Sequence, residues 1–275
     1  MQADGEERAS LTARGVTVSY GKRPAVEDAS LTLAAGCVTA LLGPNGSGKS
    51  TLLRAMARLH PPVAGAVELE DGTDALALSR AAFARRVTLL AQQRPVPAGL
   101  SVHDVVGFGR HPHRSRLGRD PEGPAAIERA LTLTGTASLA SRAIDGLSGG
   151  QLQRVWIAAC LAQRTDVLLL DEPTTYLDLR YQVEILDLVR ALADDHGVAI
   201  GVVLHDLDQA AAVADRVVLL DGGRVVADGD PRSVYDPELL SRVYGIRIEV
   251  DDGVALRTRA LGAHSRRALA ADHHQ

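Results

Sequence analysis

The chain has 275 residues, 46% of them hydrophobic and only 3% aromatic, with a formal net charge of −4. That length provides one large domain or two modest ones, packed chiefly by Ala, Val and Leu. The slight acidity argues against nucleic acid as the main partner, and no run approaches the roughly 18 consecutive apolar residues of a membrane span.

The start, "MQADGEERAS", is acidic and lacks the apolar segment of a signal peptide, which predicts a protein that stays in the cytoplasm. Residues 11 to 33 hold short alternating runs, "LTARGVTVSY" and "ASLTLAAG", which predict antiparallel strands. "CVTALLG" (37–43) predicts a buried strand entering a glycine-rich loop. "SGKSTLLRAMARLH" then has helical spacing, with Leu52, Leu53, Met56 and Leu59 on one side and Pro61 and Pro62 as its stop. "GAVELEDG" and "RRVTLLAQQ" predict two further strands.

Between about 93 and 165 the texture changes to turns rich in Pro, Gly and Arg alternating with helical pieces. One of these, "SVHDVVGFGR", opens on a capping-box-like pair, Ser101 and Asp104. An inserted helical subdomain is predicted there. From 166 onward strands and helices alternate: "DVLLLD", the helix "RYQVEILDLVRALADDHG" closed by Gly197, the strand "VAIGVVLH", a helix through Ala210–Val213 and a hairpin around "DGGR". Such alternation implies an α/β fold, a mostly parallel sheet with helices on both faces, preceded by an antiparallel β subdomain. "GAHSRRALAADHHQ" reads as a loose tail. Cys37 and Cys160 are far apart and outside any C-x-x-C pair, which fits thiols of a reducing compartment.

"GPNGSGKS" (43–50) fills every fixed position of G-x-x-x-x-G-K-[ST], with an apolar strand before it and an amphipathic helix after it. The chemistry explains the spelling. Glycines let backbone N–H groups turn inward around phosphates, and a helix N-terminus adds partial positive charge. Lys49, one of only two lysines, reaches the outer phosphates, and the Ser50 hydroxyl can bind Mg²⁺. The loop alone does not choose among kinases, GTPases and transport ATPases. In "VLLLDEP" (167–173), four apolar residues put Asp171 at the carboxyl end of a strand, where parallel sheets bind ligands. Asp171 can orient Mg²⁺, and Glu172 can polarise a water for attack on a γ-phosphate.

A second glycine-rich element, "LSGGQLQ" (147–153), stands about a hundred residues later and opens the helix "GQLQRVWIAACLA". Here the sequence resembles the ATP-binding subunits of ABC transporters, over about residues 10 to 245, because "LSGGQ" matches that family's signature letter for letter. The resemblance implies a P-loop ABC ATPase core and a head-to-tail homodimer with two nucleotides between the subunits. Ser148, Gly149, Gly150 and Gln151 then complete the partner's site. In cis it implies ATP contacts at Tyr20, Val26, Gly43, Pro44, Asn45, Gly46, Ser47, Gly48, Lys49, Ser50 and Thr51. Tyr20, the aromatic expected on adenine, also reads as an ordinary strand tyrosine. Ser50, Gln92 and Asp171 are implied for Mg²⁺, with Gln93 as a rival register to Gln92 and Ala91 where a proline is common. Glu172, His205 and Gln92 are the implied catalytic residues, and Asp178 in "TTYLD" matches the aspartate loop that crosses between subunits.

One cassette with no fused membrane domain resembles an importer subunit. "GFGRHPHR" (107–114), with His111 where an aromatic is usual, "DEPTTYLDLRYQVEIL" and "VYDPELLSRVYGIRIEV" resemble the group serving iron–siderophore, haem and cobalamin uptake. The resemblance implies permease subunits in the membrane, an extracytoplasmic binding protein beyond them, and a place on the cytoplasmic face. The chain after 245 is too short for the regulatory domain of some sugar and methionine importers. The basic run "RHPHRSRLGR" (110–119) reads either as a solvated face or as a docking surface for a permease helix near the anionic inner leaflet. His111 and His113 have no further ligand at metal-binding spacing.

Overall fold

A computed structural model describes residues 9–261 except 22, 93–95, 97, 116–117 and 254. Gln93, Arg116 and the tail from 262 onward therefore lie outside the described residues. Strands β1 (Ala9–Tyr20) and β2 (Arg23–Ala34) pair antiparallel around Gly21. β3 (Val38–Leu42) leads into the glycine-rich loop, α1 (Lys49–Met56) leaves it, and β4 (Ala64–Leu69) returns to the free edge of β1. The antiparallel subdomain is thus three-stranded, in the order β2-β1-β4.

After α2 (Arg80–Ala84) and β5 (Val87–Leu90) the chain leaves the sheet for α3 (Val102–Gly107), α4 (Gly123–Leu133) and α5 (Gly149–Ala162). These three helices share a core of their own, with Val102, Val105, Ile127, Leu131, Val155 and Ala158 at its centre. The start of α3 is the capping box expected from Ser101 and Asp104. The chain re-enters the sheet through β6 (Val167–Asp171), α6 (Leu179–Asp194), β7 (Ala199–Val203) and α7 (Leu207–Val213). The hairpin β8 (Arg216–Asp221) and β9 (Arg224–Gly229) turns at Gly222 and Gly223, both at positive φ. α8 (Pro231–Val234), α9 (Pro237–Tyr244) and a last hairpin, β10 (Arg247–Asp252) with β11 (Leu256–Leu261), complete it.

The main sheet has six strands in the order β5-β6-β7-β3-β8-β9, parallel except for β9. Strands β3, β6 and β7 are buried on both faces, as the centre of a sheet covered on both sides requires. Period-2 alternation divides them: Val38, Ala40, Leu42, Leu168 and Leu170 face the side of α6, α7 and α9. Leu41, Val167 and Leu169 face α1 and the antiparallel sheet.

Two local expectations need correction. α1 ends at Met56, not at the prolines, because Arg58 adopts φ 58° and lets the N–H groups of Leu59 and His60 reach back to the Arg54 carbonyl. Arg58 is held there by a bond from its guanidinium to the Leu78 carbonyl (3.0 Å) and by the Phe83 ring beneath it. Leu59 consequently leaves the helical face and is exposed, whereas Leu52, Leu53 and Met56 are fully buried. The second correction is Arg110, placed on an exposed basic run by sequence. It is buried, paired through two nitrogens with Asp120 (2.7 and 2.9 Å) and donating to the Ala162 carbonyl. Its guanidinium holds the Asp120 carboxyl below the usual aspartate range. His113 places Nε2 2.6 Å from the Gln163 carbonyl. His111, Arg114 and Arg119 remain on the surface.

Candidate functional site

Strand order puts the chemistry in one place. β5, β6, β7 and β3 are consecutive parallel neighbours, so the residues after their carboxyl ends emerge side by side. These are Gln92 after β5, Asp171 and Glu172 at β6, His205 after β7 and the loop from Gly43 after β3.

The loop from 43 to 48 is closely fitted. Gly43 has φ 136°, and a Cβ there would stand 2.0 Å from the Leu220 carbonyl oxygen. Gly48 has φ 103°, with the Ala25 carbonyl oxygen 2.6 Å from a would-be Cβ. Lys49 is buried and donates from Nζ to the carbonyls of Gly43 (2.8 Å) and Pro44 (2.9 Å), so the side chain curls around its own loop. Burial pulls its ammonium below the ordinary lysine range, against the opposing pull of Glu172 and Asp171. Asn45, Gly46, Gly48, Lys49, Ser50 and Thr51 line a cleft of ≈ 310 Å³ with Ala25 and Glu172. The start of α1 aims its first N–H groups at that space, a setting that favours an anion. Ser47 Oγ is buried beside Gly43 without a hydrogen-bond partner among the described residues. Val26, expected at the nucleotide, is fully buried instead: its Cγ2 packs beneath Gly48, and its neighbour Ala25 lines the cleft.

At the end of β6 the two adjacent carboxylates have different surroundings. Asp171 is buried and accepts from Ser50 Oγ (2.6 Å) and from the Arg54 guanidinium (3.0 Å). Hydroxyl and carboxylate oxygens meeting at the edge of a phosphate loop are hard donors of the kind Mg²⁺ takes. Glu172 has φ 54°, a left-handed conformation that costs a non-glycine residue on the order of 1 kcal/mol or more. That turn aims its carboxylate into the cleft, where it accepts from Gln92 Nε2 (2.5 Å) and Thr175 Oγ1 (3.2 Å). His205 Nε2 lies 2.7 Å from its other oxygen. Gln92, Glu172 and His205 are thus brought together, and Gln92 sits on Glu172 rather than on Asp171. Arg54 and Thr175 were missed from sequence. Arg54 was accessible to helical spacing, since it stands four residues after Ser50 on the same face.

The signature lies apart from this cleft, at the start of α5. Ser148 and Gly149 are exposed. The Ser148 hydroxyl accepts from the Gln151 N–H (3.3 Å) and the Gln151 side chain accepts from the Ser148 N–H (3.1 Å), a complete capping box. Asp178 caps α6 from its side chain alone, accepting from the Tyr181 N–H at 3.1 Å. Tyr20 is half exposed, with its ring edge-on to His60 at 5.3 Å between centroids. Among the described residues no helix is long and apolar enough to cross a membrane.

Residues 26–175 match the family described as ABC transporter. The chain is 42% identical over 252 residues to the ferric enterobactin transport ATP-binding protein FepC of Escherichia coli (strain K12), covering 91% of this chain and 93% of that one. It is 44% identical to the iron(3+)-hydroxamate import ATP-binding protein FhuC of Bacillus subtilis (strain 168), covering 88% and 90%. Among solved structures, a transporter described as of metal-chelate type, in an inward-facing conformation, superposes with a TM-score of 0.82 at 25% identity, covering 94% of this chain and 99% of that one. A dimeric bacterial ABC transporter cassette gives 0.69 at 27% identity, covering 81% and 99%.

Proposed function

The chain belongs to the ABC transporter family and is an ATPase of that family, and on that premise we propose that it powers uptake of a ferric siderophore or related iron chelate through a separate permease. The observation that carries the catalytic part is the Glu172 carboxylate, turned into the phosphate-loop cleft and held by Gln92, Thr175 and His205. A carboxylate so oriented serves as general base for the water that attacks the γ-phosphoryl group, and His205 and Gln92 fix its direction.

Lys49 leaves the loop carbonyls to take the outer phosphates, and the N–H groups from Gly46 to Thr51 cradle them. Ser50 and Asp171 would hold Mg²⁺, with Gln92, bonded to Glu172 one residue further along the same sheet edge, as the third expected contact. The ion would supply charge that offsets the phosphate oxygens. Ser148, Gly149 and Gly150 reach the nucleotide of a second copy, and Asp178 stands beside them at the crossing between subunits. The two subunits form a homodimer and dock on the permease at the cytoplasmic face of the membrane, and the permease receives the cargo from an extracytoplasmic binding protein. Gln92 and the exposed part of the 110–119 run, Arg114 and Arg119, supply the docking face.

The iron-chelate assignment rests on the relatives' names together with "GFGRHPHR" and "TTYLD" in this chain. The test is ATP turnover by the subunit assembled with its native permease in vesicles. Binding protein loaded with ferric siderophore should stimulate turnover, and Glu172→Gln should lower it about 10²–10⁴-fold with ATP binding retained. Stimulation by a cobalamin-loaded binding protein alone would overturn the cargo. Near-normal turnover in Glu172→Gln would overturn the base.

A further inference from the structure

The starts of α5 and α6 lie side by side, and their contact is closer than two helices ordinarily allow. A Cβ on Gly150 would stand 2.3 Å from Cδ1 and 2.4 Å from Cγ of Tyr181, so the tyrosine ring rests directly on the Gly150 backbone. One turn further along each helix, on the same two faces, Arg154 forms an ion pair with Glu184, which also accepts from Arg180 Nε at 2.9 Å. Gly149, by contrast, is exposed and meets only Leu177, with its would-be Cβ 3.7 Å away.

The two glycines of the signature thus face different things. Gly149 looks outward. Gly150 looks into its own chain, and its missing side chain is the space the Tyr181 ring occupies. α5 belongs to the helical unit and α6 to the main sheet, so this contact joins the two units at the point where Ser148 and Asp178 cap their helices.

We propose that Tyr181 and Glu184 are positioning residues for the signature: ring on Gly150 and carboxylate on Arg154 lock the first turn of α5 to the first turn of α6. Ser148 and Asp178 then meet the opposite subunit as one rigid edge. The brace lies within one chain, and its use in catalysis rests on the trans role given to the signature above. Gly150 is required by the neighbouring helix as well as by any phosphate.

The experiment is a double-mutant cycle in the full chain, read in three ways. Hydrogen exchange of the isolated subunit reports the brace itself: Tyr181→Ala should speed exchange of the amides from 150 to 153, and Tyr181→Phe should not. In the permease complex Gly150→Ala should lower kcat about tenfold or more, with the affinity of the isolated subunit for a fluorescent ATP analogue unchanged. Adding Tyr181→Ala makes room for the new methyl group, so the double variant should recover to within about threefold of Tyr181→Ala alone. Tyr181→Phe should keep the wild-type kcat.

Unchanged exchange in Tyr181→Ala would overturn the brace. Faster exchange with wild-type kcat would overturn its positioning role. A Gly150→Ala defect as deep with Tyr181→Ala as without it would show that Gly150 answers to the nucleotide alone. A failure of the trans reading shows elsewhere, in mixed dimers of signature and phosphate-loop variants, and leaves the exchange result standing.

Discussion

The phosphate loop and the signature are both glycine-rich turns opening a helix, yet the structure treats them oppositely. The loop from Gly43 to Lys49 is built inward: two of its glycines press on backbone carbonyls and its lysine is buried on its own loop. The signature is built outward: Ser148 and Gly149 are exposed, and only Gly150 turns back, onto Tyr181. On the trans role proposed for the signature, the difference follows from what each must meet. A half-site that holds phosphates from one subunit has its backbone preorganised by that subunit, with only the Lys49 side chain left to swing off its loop carbonyls, because reorganising the whole loop on binding would cost affinity. A half-site meant for a second copy must present its groups to solvent until that copy arrives.

The largest effect should come from pairing the two elements across subunits. Ser148→Arg and Lys49→Ala subunits, each inactive alone, give a mixed dimer with one doubly defective site and one intact site. Turnover or ATP-dependent dimerisation should reappear on mixing, from background up to a ceiling set by the fraction of mixed dimers. No recovery of either, with mixed dimers demonstrably formed, would place the signature's role in cis and dissolve the contrast.

A smaller effect separates glycines within the phosphate loop. Gly48→Ala forces φ 103° on a residue with a Cβ and drives that atom against the Ala25 carbonyl. Each source of strain costs on the order of 1–3 kcal/mol, so ATP affinity should fall about tenfold or more. Gly46→Ala meets nothing within 4 Å among the described residues and carries only the φ 80° penalty, so it should lose less. Equal losses in an ATP titration would show that backbone conformation, not close approach, dictates the loop.

The elements legible in the sequence were those whose chemistry fixes residue type and spacing at once. Phosphate geometry dictates "GPNGSGKS", and a strand's carboxyl end dictates where "DE" must fall. What could not be read were contacts between segments distant in sequence. Arg110 reads as part of an exposed basic run, solvated or docking, because its partners, Asp120 and the Ala162 carbonyl, meet it only in the fold. Val26 is an expected ligand contact, but the alternation of side chains along β2 turns Val26 into the core and leaves Ala25 at the cleft. Pro61 and Pro62 looked like the stop of α1, and a left-handed arginine, which no composition rule favours, stops it earlier. Tyr181 on Gly150 joins residues thirty-one positions apart across two units, with no periodic signal to announce it.

The smallest expected effect decides what the Ser148 hydroxyl is for, since it has two uses. Within the chain it caps α5, and losing an N-cap costs about 1 kcal/mol, a change of roughly fivefold in the population of an ordered first turn. Across the dimer, on the trans role proposed for the signature, it is offered to the partner's nucleotide. Ser148→Ala removes both and should weaken ATP-dependent dimerisation by at least that fivefold factor, with ATP affinity of the single subunit unchanged. Ser148→Asn separates them, because asparagine caps a helix as well as serine does but carries no hydroxyl. Dimerisation restored to wild type in Ser148→Asn would make the residue a cap whose order is all the partner requires. Dimerisation still short of wild type in Ser148→Asn, with hydrogen exchange at the start of α5 as slow as wild type, would assign the remaining loss to the hydroxyl itself. The latter outcome is the one expected, because Gln151 already closes the capping box from the other side and leaves the cap with support that the partner's phosphate lacks.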